Sequence, residues 1–126
     1  MKIAIINGPN LNLIGSRETD IYGGESFEHY FNKIRKKYEN VDFDYYQSNV
    51  EGELINELQS AGQKMDGIIL NAGGYTHTSI ALCDTVAALT IPVVEVHISS
   101  IEARKDLRNV SYLKAKLAGT ILGCVL

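Results

Sequence analysis

The chain has 126 residues, 45% of them hydrophobic and 21% charged, with a formal charge of −3. This predicts one domain over residues 1–126 with room for a real core, and it excludes a fibrous or disordered chain. The weakly acidic balance carries no footprint for nucleic acid or an anionic membrane, so neither partner is expected.

The chain opens on Ile3-Ala4-Ile5-Ile6, a continuous apolar run of the kind found in a strand buried on both faces. It passes straight into a polar loop, with no signal-peptide pattern ahead of it. From Ser26 the period changes: Phe27, Tyr30, Phe31, Ile34 and Tyr38 recur at three and four residues. That spacing predicts an amphipathic helix with Ser26 as its N-cap. Lys33, Arg35, Lys36 and Lys37 read as its solvated face. Val41, Phe43 and Tyr45 alternate with polar residues, as in a half-exposed edge strand.

Residues 53–64 form a second amphipathic pattern on Leu54, Ile55, Leu58 and Ala61. Gly67-Ile68-Ile69-Leu70 predicts a buried strand. Residues 79–89 predict a third helix, stopped ahead of Pro92. Val93-Val94-Glu95-Val96 is the fourth strand, and Thr120-Ile121-Leu122 the fifth. No apolar run approaches the roughly 20 residues that span a bilayer. Cys83 and Cys124, the two cysteines, form no C-x-x-C pair and read as small buried hydrophobes in a reducing compartment. A cytoplasmic protein is expected.

Alternating strands and helices predict an α/β fold: a five-stranded parallel sheet, doubly wound in the flavodoxin-like order, with helices on both faces. Ligands in such sheets bind beyond the carboxyl ends of the strands. That rule singles out the segments after Ile6, Leu70 and Val96. The first holds Asn7-Gly8-Pro9-Asn10 and then Arg17, Tyr22 and Gly24, in a connection long enough to be a lid. The second holds Asn71-Ala72-Gly73-Gly74-Tyr75-Thr76-His77-Thr78-Ser79. The third holds His97, Ser99, Arg104 and Arg108. Arginines and backbone amides suit a carboxylate, and Asn and His suit hydroxyls and carbonyls. A small, polar, anionic ligand is therefore expected. Neither a Walker pattern nor G-x-G-x-x-G occurs, which speaks against a nucleotide. His77, His97, Asp84 and Glu95 lack H-x-x-x-H or H-x-H spacing, so no metal is expected.

The run Ile6-Asn7-Gly8-Pro9-Asn10-Leu11-Asn12-Leu13 resembles the opening signature of type II 3-dehydroquinate dehydratases. So do Arg17-Glu18 with Asp20-Ile21-Tyr22-Gly23, Tyr46-Gln47-Ser48-Asn49, the segment Asn71 to Ser79, and Glu95-Val96-His97-Ile98-Ser99 with Arg104 and Arg108. The likeness is collinear from Met1 to about Gly123. It implies conversion of 3-dehydroquinate to 3-dehydroshikimate through an enolate, with no metal, organic cofactor or Schiff base.

The resemblance also implies roles. Tyr22 is the base; a phenol with a pKa near 10 needs neighbouring guanidinium groups to ionise near neutral pH, and Arg17 and Arg104 match positions that supply them. His97 is the acid that protonates the departing hydroxyl. Glu95, two residues earlier on the same strand face, orients it. Asn10 stabilises the enolate. Asn71 and the backbone of Ile98 and Ser99 bind the carboxylate, while His77, Asp84 and Arg108 hold ring hydroxyls. By the same resemblance the chain assembles as trimers within a dodecamer, and Asp84 reaches a neighbouring subunit's site.

Three departures stand out. Thr19 replaces a common lid proline, and Glu102 replaces a common aromatic or histidine. The chain also ends at Leu126, where the family continues into a closing helix, so a partner or a missing segment is expected to cover that sheet face. An inactive relative that binds polyol carboxylates without turnover is the alternative, and a flavodoxin-like nucleotide or flavin binder is a further one.

Overall fold

The computed structural model describes residues 1–16, 24–98, 111–113 and 116–122. Five strands run through it: β1 (Lys2–Asn7), β2 (Asp42–Gln47), β3 (Gly67–Asn71), β4 (Val93–His97) and β5 (Gly119–Leu122). All pair in parallel, in the spatial order β2-β1-β3-β4-β5. This is the expected doubly wound order, and it brings the carboxyl ends of β1, β3 and β4 side by side.

Among the described residues, three helices connect the strands: α1 (Phe27–Lys37), α2 (Glu51–Lys64) and α3 (Ile80–Ala88). Ser26 caps α1 as its sequence position predicts, its hydroxyl accepting the His29 N–H at 3.2 Å. Basic residues Arg35, Lys36 and Lys37 fill the last turn, where the helix dipole favours them. Phe27 stacks on Tyr45 of the edge strand and Phe31 packs against it at a tilt, with ring centroids 4.8 and 5.4 Å away.

Helix α2 begins two residues earlier than its apolar spacing suggests. Ser48 explains the difference: its hydroxyl accepts the Val50 N–H at 2.9 Å and donates to the Glu53 carboxylate. Glu51 and Glu53 then sit in the first turn, where acidic groups are favoured. Ser79 caps α3, accepting the Leu82 N–H at 2.9 Å.

The main core lies between the sheet and helices α2 and α3. Ala4, Ile6, Ile68, Leu70 and Val93 meet Leu54, Leu58, Ala61, Leu82 and Val86 there. The alternate residues of each strand lie on the other face, where Phe43 and Tyr45 of β2 meet Phe27 and Phe31 of α1. On that second face Val94 and Val96 are half-buried, and Ile121 on β5 is 49% exposed. Cys83, within α3, is half-buried rather than buried, and its thiol donates to the Tyr112 carbonyl oxygen at 3.0 Å. Cys124 lies outside the described residues. No described helix is long and apolar enough to cross a membrane.

Candidate active site

At the carboxyl edge of the sheet two loops touch backbone to backbone. Gly8 donates its N–H to the Asn71 carbonyl at 2.7 Å. A Cβ at Gly8 would stand 2.5 Å from the Ala72 carbonyl oxygen, so only glycine permits this approach. Gly73 takes φ +59°, and a Cβ there would meet the Pro9 carbonyl oxygen at 3.0 Å. The loops after β1 and β3 are thereby set in one arrangement.

Asn10 follows in the left-handed region, with φ 68°. That conformation is costly for most side chains but tolerated by Asn. It is held by Asn49, whose side-chain oxygen accepts the Asn10 N–H at 3.0 Å and the Gln47 amide at 3.2 Å. Gln47 also donates to the Gly8 carbonyl at 3.1 Å. The Tyr75 hydroxyl donates to the Asn49 carbonyl at 2.8 Å. One residue after β2 therefore ties together the loops after β1 and β3, and the Asn10 side chain is left exposed.

Asn71, at the end of β3, is buried, and its side-chain oxygen accepts the Gly73 N–H at 3.1 Å. This fixes the amide so that its NH₂ end can donate to an oxygen ligand. His77 closes the short 3-10 turn Gly73–His77 and is half-buried. Asp84 is exposed on α3. Ile98 is buried against Leu11 and Ile14 of the loop after β1.

The strongest electrostatic feature lies on β4. Glu95 is 0% exposed and His97 6% exposed, on the same face of the strand. His97 Nε2 lies 3.0 Å from Glu95 Oε1, within ion-pair range but outside directed hydrogen-bond geometry. The Thr76 hydroxyl donates to the same oxygen, and the Ser111 hydroxyl lies 3.5 Å from the other. Burial pushes the Glu95 carboxyl up, yet His97, Thr76 and Ser111 together outweigh it and hold the group below its ordinary value. A buried carboxylate kept ionised beside an imidazole can orient that ring and balance its charge when it carries a proton.

Tyr45 behaves in the opposite way. Burial raises its pKa above the ordinary 10, against a weaker effect of the Asn7 amide. It stays a neutral phenol near neutral pH and does not compete as a base.

The described residues thus bring together Asn10, Asn71, Glu95, His97 and Ile98 along adjacent strand ends, with His77 on the turn between. Arg17, Tyr22, Ser99, Arg104 and Arg108 lie outside the described residues, as do Thr19 and Glu102. No described group of three or more His, Cys, Asp or Glu side chains is arranged to hold a metal ion. Reasoning from sequence missed the supporting residues Gln47, Asn49, Thr76 and Ser111. For Thr76 and Ser111 a signal existed: a glutamate in a buried strand demands donors, and hydroxyls in adjoining loops are the nearest supply.

The family described as Dehydroquinase class II matches residues 1–126. The chain is 52% identical to the 3-dehydroquinate dehydratase of Fusobacterium nucleatum, covering 98% of this chain and 87% of that one. It is 46% identical to the 3-dehydroquinate dehydratase of Campylobacter jejuni, covering 98% and 79%. Among solved structures, the type II dehydroquinase of Butyrivibrio crossotus superposes with a TM-score of 0.94 at 43% identity, covering 99% of this chain and 89% of that one.

Proposed function

The chain belongs to the class II dehydroquinase family, and on that premise we propose that it is a 3-dehydroquinate dehydratase whose own side chains carry the reaction. It is a hydro-lyase: it eliminates water from 3-dehydroquinate and releases 3-dehydroshikimate. Tyr22, as phenolate, removes the proton beside the ketone. Arg17 and Arg104 supply the positive charge that favours the phenolate. The electrons move into the carbonyl to give an enolate, which Asn10 stabilises by hydrogen bonding. The hydroxyl then leaves as water, protonated by His97.

The observation that carries this reading is the buried pair of Glu95 and His97 at the carboxyl end of β4. Glu95 occupies the Nε2 side of the ring, so Nδ1 delivers the proton. Asn71 and the backbone of Ile98 and Ser99 take the substrate carboxylate, and His77 and Arg108 take ring hydroxyls. Asp84, exposed on α3, reaches the site of a neighbouring subunit in trimers that build a dodecamer. The whole chain acts as one catalytic domain, in the cytoplasm.

Replacing Tyr22 with phenylalanine tests the assignment of the base. Turnover of 3-dehydroquinate is abolished while calorimetric binding of a non-reacting polyol carboxylate is retained. Near-wild-type turnover would remove Tyr22 from the role.

A further inference from the structure

A carboxylate with no exposure is costly unless donors surround it. Glu95 is such a group, and its partner His97 changes charge if it gives up a proton during turnover. Something else must then sustain the Glu95 charge in the half of the cycle when the ring is neutral. Without it, the proton would settle on the carboxyl group and the ring would lose its guide.

The hydroxyls against Glu95 answer this need. Each hydroxyl has one proton to donate. Thr76, itself 0% exposed, donates its proton to Glu95 Oε1. The oxygens of Thr76 and Ser111 are 2.9 Å apart, so Ser111 must be the donor in that contact. Its 3.5 Å approach to the second Glu95 oxygen is then a secondary one. The result is a directed chain from Ser111 to Thr76 that ends on the Glu95 carboxylate, against which His97 Nε2 lies at 3.0 Å. Hydrogen bonds in series polarise one another, which strengthens the terminal bond to the anion. The backbone keeps the chain in register: the Tyr112 N–H donates to the Thr76 carbonyl at 2.9 Å.

We propose that Thr76 and Ser111 form a hydroxyl relay that positions Glu95 and, through it, the ring of His97. Thr76 is a positioning residue and touches no substrate. The proposal rests on the reading of His97 as the acid, and it extends that reading into the second layer of the site.

The test compares Thr76→Val, which keeps the shape and removes the hydroxyl, with Thr76→Ser, which keeps the hydroxyl. The valine variant loses at least about tenfold in kcat with KM within about threefold, the pattern of an interaction that acts in the transition state. The serine variant returns to within about threefold of wild type. In a Glu95→Gln background the valine change costs less than about twofold more, because residues acting through one another are not additive.

A separate readout does not depend on turnover. The ¹⁵N shifts of the His97 ring move in the valine variant and keep their wild-type values in the serine variant. A valine variant with wild-type kcat and wild-type ring shifts overturns the relay, and so does a fully multiplicative effect in the Glu95→Gln background. If wild type itself fails to turn over 3-dehydroquinate, the functional reading falls and the ring shifts alone decide the relay. Should the valine variant fail to fold, Thr76→Ala and Ser111→Ala carry the same readouts, and unchanged values in both overturn it.

Discussion

Replacing Gly8 with alanine strikes the point where the two loops of the site meet. The added Cβ would stand 2.5 Å from the Ala72 carbonyl oxygen and 2.7 Å from its carbon. Both atoms are backbone, so no rotamer change relieves the clash. Overpacking of this kind costs about 1–3 kcal/mol. Parting the loops also weakens the 2.7 Å bond from the Gly8 N–H to Asn71, worth about 1 kcal/mol net. Alanine restricts the unfolded chain and offsets about 0.4–1 kcal/mol of this. The net loss is about 1–3.5 kcal/mol, a fall in Tm of roughly 3–15 °C at fixed protein concentration. Turnover falls too, because Asn10 and Asn71 sit directly on the displaced segments. Gly74→Ala is the control: nothing lies within 4 Å of its Cβ position, and its effect stays within about 0.5 kcal/mol. Differential scanning calorimetry of both variants reads the difference. A Gly8→Ala protein as stable as the control would refute the claim that this backbone contact sets the loops.

Two further perturbations probe the support of the site. Asn49→Ala removes the acceptor that holds Asn10 in its left-handed conformation; kcat/KM falls by about tenfold or more, as expected when an oxyanion donor is loosened. Unchanged kinetics would show that Asn10 is positioned by its own turn. Glu95→Gln addresses the charge. The Glu95 carboxyl is held below its ordinary value of 4.5 in the folded chain, so the unfolded chain takes up its proton first as pH falls. The stability contributed by ionised Glu95 is therefore fully present above about pH 4.5 and is lost as pH drops through the lower folded value. Urea unfolding gives a difference between wild type and Glu95→Gln that shrinks as pH falls below about 4.5. A difference that grows below about pH 4.5 would contradict the sign.

The alternation of apolar strands and amphipathic helices made the fold legible, because burial on both sheet faces leaves continuous apolar runs such as Ile3 to Ile6 and Gly67 to Leu70. The capping serine Ser26 was legible for a similarly local reason: a helix start needs an acceptor. The start of α2 was not, because its cap is an indirect one in which Ser48 reaches Val50 and Glu53 across a turn. The facing of Glu95 and His97 followed from the two-residue repeat of a strand. Nothing local in the sequence joins Ser111 to Thr76, 35 residues away, or Asn49 to Asn10, 39 residues away. Those contacts exist only once β2, β1, β3 and β4 lie side by side, so the pairings follow from tertiary geometry.

The most direct test is the ultraviolet absorbance of the conjugated enone when purified protein meets 3-dehydroquinate, with and without prior borohydride treatment. The account predicts a rise that survives borohydride, since the elimination runs through an enolate held by side chains and not through a lysine Schiff base. No rise from folded protein, or a rise abolished by borohydride, would contradict it.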